Sequence, residues 1–308
     1  MDYSVRLRDV AEIELRDDVW IEAAGFSTMG GGPGATAAVV MARLGLRVAF
    51  VGRVGDDAAG AQIRSELDTH GVDTLGLEVD QSISSRVALV LVNQSAGTRS
   101  FVTHGETFVK SISSSQAAII ESGAALHLDW ATEQSLQVAR TCRARGARVT
   151  FDLARVRPHA LAQAQVACYT TLSQRTASDL APAPDDGSDS HHRCGIDVRH
   201  LASMMGRTTI VTQGERGCML LKDGTVTPFS APRIDDVIDT TGAGDTFQGA
   251  LNAALSRREE DLAAIRYATT AASLSVRGAG GRGRLPTDEE IRAAMASREL
   301  FERPTPGW

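Results

Sequence analysis

The chain has 308 residues, a formal charge of -6, an ordinary hydrophobic content of 43% and few aromatics, 5%. That length suits one large domain with a small appendage, or two domains. The acidic balance argues against a nucleic-acid or other polyanion surface. No apolar run approaches the roughly 18 residues of a membrane span, and Met1-Asp2-Tyr3-Ser4-Val5-Arg6 carries no apolar leader core. Cys142, Cys168, Cys194 and Cys218 include no C-x-x-C pair and read as reduced thiols, so a cytoplasmic chain is expected.

Tyr3, Val5 and Leu7, then Ile13, Leu15, Val19 and Ile21, alternate loosely and suit short strands. Gly30-Gly31-Gly32-Pro33-Gly34 leads into a small-residue helix over Ala35 to Leu44, stopped by Gly45. Leu46 to Val51 reads as a strand and Gly52 to Asp57 as a turn. Asp57 caps a helix that buries Ile63 and Leu67. Arg86 to Val92 and Thr98 to Thr103 form a hairpin around a longer loop. Alternation then resumes: strand Ala125 to Asp129, helix Glu133 to Arg145, strands Arg148 to Leu153 and Thr208 to Thr212. A second hairpin joins Cys218 to Leu221 with Val226 to Phe229, and helices follow near Asp261 to Val276 and Asp288 to Ala296. Strands alternating with helices predict an α/β fold. Pro182 to Gly195 is a polar loop; its His191, His192 and Cys194 do not make a closed ligand set for a metal.

The most specific stretch is Asp239-Thr240-Thr241-Gly242-Ala243-Gly244-Asp245-Thr246-Phe247-Gln248-Gly249. Phe247, Ala250, Leu251, Ala254 and Leu255 recur at helical spacing, so a helix begins near Gly244. Its first N–H groups lack intrahelical partners and sit at the positive end of the dipole. With only glycine and alanine there, an anion can approach them closely. An acidic first turn alone would explain a lone G-A-G-D. A carboxylate beside an anion hole makes chemical sense where it takes a proton from a hydroxyl attacking a phosphate.

The glycine segment before the first helix offers backbone N–H groups that can lie against a polyol. Gly30-x-Gly32-x-x-Ala35 also fits a degenerate dinucleotide fingerprint, which would make the chain an NAD-dependent dehydrogenase; Phe26-Ser27-Thr28-Met29 is a poor buried strand for that motif. The G-x-G-x-x-G at Gly278 to Gly283 runs into Leu285-Pro286 and not into a helix, and no Walker-type G-x-x-x-x-G-K-[ST] exists.

The run D-T-T-G-A-G-D-T-F resembles the C-terminal signature of the ribokinase-like, or PfkB, family of carbohydrate kinases. Gly31-Gly32-Pro33-Gly34-Ala35-Thr36, followed by Val51-Gly52-Arg53-Val54-Gly55-Asp56-Asp57-Ala58-Ala59-Gly60, is similar to its N-terminal signature. The resemblance implies a Rossmann-like three-layer αβα sandwich over residues 1–308 with a small β-sheet lid. Lid strands would come from about 3–30 and 86–103, and a homodimer would form through the lid. It implies an ATP-dependent sugar kinase using Mg²⁺ and, in many members, a monovalent cation such as K⁺. Asp245 would be the base and Gly242, Ala243 and Gly244 the anion hole. Asp2, Gly31, Gly32, Thr36, Arg99 and Asp129 would meet the sugar. Ser173, Thr212, Gly214, Gly217 and Thr241 would line ATP, and Asp239 with Thr241 and backbone near Ser275 to Gly280 the cation.

Three departures stand out. The family's first, central strand would precede Asp2, so apolar surface and unpaired ladder groups are expected. Ser173 and Thr176 replace the Asn and Glu of the family's N-x-x-E, which touches metal dependence. Thr36 replaces the Asn of ribokinases. Gly30 to Ala38 looks most like sulfofructose kinases, but Asp129 beside a sulfonate would be repulsive, so a generic kinase for a sugar or sugar acid ranks first. A nucleoside kinase would call for an aromatic wall in an aromatic-poor chain. A non-catalytic sugar-binding relative would have little use for Asp245.

Overall fold

The computed structural model describes residues 1–7, 23–93, 98–105, 111–183 and 192–297. Chain order begins with β1 (Asp2–Leu7), β2 (Gly25–Met29), α1 (Pro33–Arg43), β3 (Gly52–Gly55), α2 (Ala58–Thr69) and β4 (Leu77–Asp80). Next come β5 (Val87–Asn93), β6 (Thr98–His104), α3 (Ser114–Ser122), β7 (Ala125–Leu128), α4 (Glu133–Ala144), β8 (Arg148–Asp152) and α5 (Ala160–Val166). They are followed by β9 (Tyr169–Ser173), α6 (Gln174–Leu180), β10 (His192–Arg193), β11 (Ile196–Asp197), α7 (Val198–Met204) and β12 (Thr208–Thr212). The described chain ends with β13 (Cys218–Lys222), β14 (Thr225–Phe229), α8 (Ala243–Ser256), α9 (Asp261–Ser275) and α10 (Asp288–Ala296).

The main sheet runs β14-β13-β12-β9-β8-β7, with β7, β8, β9 and β12 parallel and the last two strands added as a meander. Period-2 alternation sorts its side chains between two helical layers. Val211, Met219 and Leu221 pack with α4, α5, α6 and α7, whereas Ile210, Cys218 and Leu220 pack with α1, α8, α9 and α10. This is the three-layer αβα sandwich. α8 is buried on nearly every side from Thr246 to Leu255, because α1 and α9 both pack on it. A Cβ at Gly249 would lie 2.5 Å from Val40 and 2.7 Å from the Ala37 carbonyl, so the bare glycine lets α1 and α8 cross closely.

A second sheet, ordered β2-β1-β5-β6, is built from the described parts of the segments expected to supply lid strands; the run Ile13, Leu15, Val19 and Ile21 lies outside the described residues. Its register puts Asp2, Thr103 and Met29 on one face and Tyr3, Leu89 and Val102 on the other. The expected strand at Leu46 to Val51 is displaced. Only Ala49 bridges to Asp73, and the strand is β3, on residues read as a turn. The reason is hydrogen bonding: Phe50 and Gly52 donate to Asp73 and Gly76, and pairing with β4 carries on from there. An apolar run cannot reveal where its ladder begins. β3 and β4 form a separate parallel pair, and among the described residues no strand joins β3 to β7. Leu126 and Leu128 on β7 remain half-buried. Part of the Pro182–Gly195 loop also differs from expectation, since His192–Arg193 pairs with Ile196–Asp197; His191 and residues 184–190 lie outside the described residues. No group of three or more metal-ligating side chains occurs among the described residues.

Candidate active site

Two parallel strands end in carboxylates at the same end of the sheet. Asp129 follows β7 and Asp152 ends β8, where ligand crevices of open α/β sheets form. Asp245 joins them from the first turn of α8. Gly242 caps that helix with φ 74°, a left-handed conformation that glycine adopts freely. A Cβ there would also lie 2.5 Å from the Gly281 carbonyl. Nothing lies within 4 Å of a Cβ built on Gly244, so space is open in front of the helix end. The motif therefore delivers a helix N-terminus with open space before Gly244 and a carboxylate beside it, while Ala243 N donates to Thr240 O at 3.3 Å.

Burial dominates the electrostatics. It raises the Asp245 carboxyl to about 6, with the charges of Asp129 and Asp2 adding to the rise and Arg282 opposing it. Burial pushes Asp152 up to about 8, helped by Asp245 and Asp129 and opposed by a hydrogen bond with Gln248. His127, beneath the carboxylates, is pushed down to about 4 by burial, against the pull of Asp129. It is a neutral ring packed against Thr150 (2.9 Å) and Asn252 (3.4 Å). At neutral pH the site thus holds a protonated Asp152 beside an ionised Asp245, two carboxyls driven apart by their surroundings.

The glycine segment forms the opposite wall. Asp129 Oδ2 accepts from Gly34 N at 2.9 Å. A Cβ on Gly31 would sit 2.1 Å from Asp2 Oδ2, so only glycine admits the carboxylate there. Burial also raises the Asp2 carboxyl. Gly32, φ 87°, caps α1. Thr36 is buried, and its hydroxyl accepts from Arg282 Nε at 3.2 Å. Trp130, next to Asp129, carries the Arg157 guanidinium 3.9 Å above its ring. Arg99 lies on β6, in register with Arg6 and Val92; its side chain lies outside the described residues.

The residues expected to line ATP fall in two groups. Ser173 and Thr212 end adjacent parallel strands and are register partners. Gly214 (φ 61°) and Gly217 (φ 100°) bound a single 3-10 turn, Gly214–Arg216, closed by Gln213 N donating to Gly217 O at 2.7 Å. A Cβ on Gly217 would lie 1.9 Å from Phe229 O. Asp239 fixes the loop before α8: its Oδ1 accepts from Thr241 N (2.8 Å) and Thr241 Oγ1 (2.6 Å), and its Oδ2 from Gly280 N (2.8 Å). The backbone N–H groups of Ile238 and Asp239 both reach Val276 O, so the expected cation residues do gather. Where the family has Glu, Thr176 is buried and bonds Ser173 Oγ and Ala154 O.

Sequence reasoning missed Asp152, Arg282, Glu66 and Gln248. Asp152 carried a usable signal, since R-V-T-F-D ends an apolar strand in an acid just as A-L-H-L-D does at Asp129. Arg282 lies inside the glycine cluster at 278–283 that was set aside as a dinucleotide motif.

The profile described as pfkB family carbohydrate kinase matches residues 4–288. The chain is 31% identical over 300 residues to the aminoimidazole riboside kinase of Salmonella typhimurium, covering 89% of this chain and 90% of that protein. It is 28% identical over 283 residues to the ribokinase of Bacillus subtilis, covering 88% and 89%. Its fold superposes with a TM-score of 0.81, at 23% identity, on the structure of Arabidopsis thaliana ribokinase complexed with ribose and ATP, covering 96% of each chain. The match across the chain, on a sandwich whose glycine segment and carboxylate-bearing helix end face each other, shows that the chain belongs to the pfkB family of carbohydrate kinases.

Proposed function

We propose that the chain transfers the γ-phosphate of ATP to a primary hydroxyl of a small neutral sugar, with Asp245 as general base. The observation that carries this is the half-buried Asp245, whose loss of solvation raises its carboxyl to about 6, beside the open N-terminus of α8. Ionised at neutral pH yet more basic than an ordinary carboxylate, it is suited to accept a hydroxyl proton. The hydroxyl oxygen attacks phosphorus in line, and the Gly242–Gly244 N–H groups take the charge growing on the transferred phosphoryl. ATP lies along Gly214–Gly217 between Ser173, Thr212 and Thr241. Mg²⁺ would supply charge neutralisation between the phosphates; Thr176 presents no carboxylate to hold it. Asp239 and Thr241, near Val276 O, are the place for a monovalent cation such as K⁺.

Charge selects the sugar class. Among the described residues whose charges act on Asp245, Asp2 and Asp129 are acidic and the one guanidinium, Arg282, is matched by Glu66. Carboxylate or sulfonate substituents would meet net negative charge, whereas neutral hydroxyls can donate to all three carboxylates. This favours a neutral sugar over a sugar acid or sulfofructose. A riboside is the second reading, favoured by the Trp130–Arg157 stack beside Asp129, a flat face for a base. The sheet carrying Asp2 acts as the lid that excludes water on closure. Its outer face leaves Phe26 66%, Val102 56% and Leu89 37% exposed, which supports a second copy packing there.

The test is ATP consumption with Mg²⁺, with and without K⁺, across pentoses, ketohexoses, 2-keto-3-deoxy acids, sulfofructose and nucleosides. A sugar-dependent signal lost in Asp245→Asn establishes the reading. A signal confined to the anionic sugars overturns the charge argument, and sedimentation as a monomer overturns the dimer.

A further inference from the structure

Arg282 has a place in the site that the phosphoryl-transfer scheme does not use. Its side chain is only 4% exposed, although it comes from a glycine-rich segment after α9. Nη1 pairs with Glu66 Oε1 on α2 at 2.9 Å. Nε donates to Thr36 Oγ1 on α1 at 3.2 Å, and Nη2 to Gly31 O at 3.2 Å. The backbone is cut back to receive this pair: a Cβ on Gly30 would lie 1.7 Å from Glu66 Oε2 and 2.1 Å from Arg282 Nη1. At the other end of the same segment, Gly280 N is held by Asp239 Oδ2 at 2.8 Å and Gly281 packs against Gly242. One rigid fork therefore joins the glycine segment, α2 and the loop that shapes the end of α8.

We propose that Arg282 is a positioning residue: it locks the sugar-side glycine segment to the anion-hole loop, and its pairing with Glu66 sets how much positive charge reaches Asp245. The proposal rests on the reading of Asp245 as base. A buried Arg–Glu pair kept only for folding would be the plainer account. Two observations favour the functional one. The guanidinium charge opposes the burial-driven rise of both the Asp245 and Asp2 carboxyls. Its three bonds also go to three different parts of the site wall, and not to a single neighbour. Among the described residues, the charged and titratable groups around Asp245 are Asp2 of β1 with the Met1 amino group before it, Glu66 of α2, His127 of β7 with Asp129 after it, Asp152 of β8, and Arg282 itself.

The two partners act on Asp245 in opposite directions, and this separates the accounts. The Asp245 carboxyl is titrated directly by carbon NMR in the full-length protein, its resonance assigned by its absence from Asp245→Asn. Arg282→Met should move the midpoint up by about one unit, and Glu66→Gln should move it down by a smaller amount. Arg282→Lys should keep the midpoint near wild type but raise KM for D-ribose or D-fructose, whichever is turned over, at nearly constant kcat, because the fork to Thr36 and Gly31 is lost. If both Arg282→Met and Glu66→Gln lower stability and leave the midpoint unmoved, the pair is structural and the proposal is overturned. If Arg282→Met fails to fold, Glu66→Gln decides alone: a downward shift supports the proposal and no shift overturns it. The titration needs no turnover. A wild-type protein that consumes no ATP refutes Asp245 as base while leaving the readout on Arg282 intact.

Discussion

Replacing Asp245 by Asn removes a charge and almost no volume, and it should exchange activity for stability. In the folded protein the carboxyl lies at about 6, against an ordinary value of 3.8, chiefly because it is buried. The folded state therefore holds this proton more tightly than the unfolded chain does. Stability falls as pH rises from the ordinary carboxylate range through about 6, where the buried group must ionise. A shift of about two units corresponds to up to about 3 kcal/mol of folding free energy lost at pH 8. At pH 5 the folded carboxyl is mostly protonated, and the loss is about half as large. Asp245→Asn should recover these amounts, because an amide has no charge to desolvate. Urea unfolding of the ligand-free protein at pH 8 and pH 5 measures both, read as a change in midpoint at constant slope. Turnover of the same variant should fall by about 10³-fold, the scale of losing a general base. A variant no more stable than wild type at pH 8, or stabilised equally at both pH values, would refute the burial argument. Near wild-type turnover would remove Asp245 as base.

Asp152 should govern the alkaline side. Its carboxyl stays neutral up to about 8, and ionisation beyond that adds a negative charge facing the incoming phosphate. Turnover should decline above pH 8 in wild type, and Asp152→Asn should flatten that limb; a limb that survives unchanged belongs to another group. Gly217→Ala forces a Cβ to within 1.9 Å of Phe229 O at φ 100°. It should raise KM for ATP far more than KM for sugar, at a stability cost of about 1–3 kcal/mol, as steady-state kinetics and thermal unfolding will show. Asp57→Ala removes the cap to Gly60 N and the bond to Ser85 N, both 2.8 Å. It should lower stability by about 1 kcal/mol. Those bonds hold the Asp57 carboxyl below its usual range, so its contribution is full above that range and fades on acidification; unfolding at pH 7 and pH 3 should show the difference shrinking.

The parts of this protein that depend on local backbone geometry were legible in the sequence. D-T-T-G-A-G-D encodes a left-handed cap, a bare helix end and a first-turn carboxylate within a few residues, and the structure builds all three. The lid-segment hairpin and the meander at Cys218 to Phe229 were equally readable from strand-forming runs around turns. The strand at Leu46 to Val51 was misplaced because its partner residues, Asp73 and Gly76, lie on a separate segment, and hydrogen-bonding distance to them decides where pairing starts. Arg282 was invisible for a stronger form of the same reason: its bond to Thr36 spans 246 residues, and nothing near either residue announces the other. The roles of the carboxylates divide in the same way. Acidic side chains at strand and helix ends are written in the chain. Which of them stays protonated at neutral pH, Asp152 and not Asp245, depends on burial and on neighbours brought from four separate elements, and only the tertiary structure decides that.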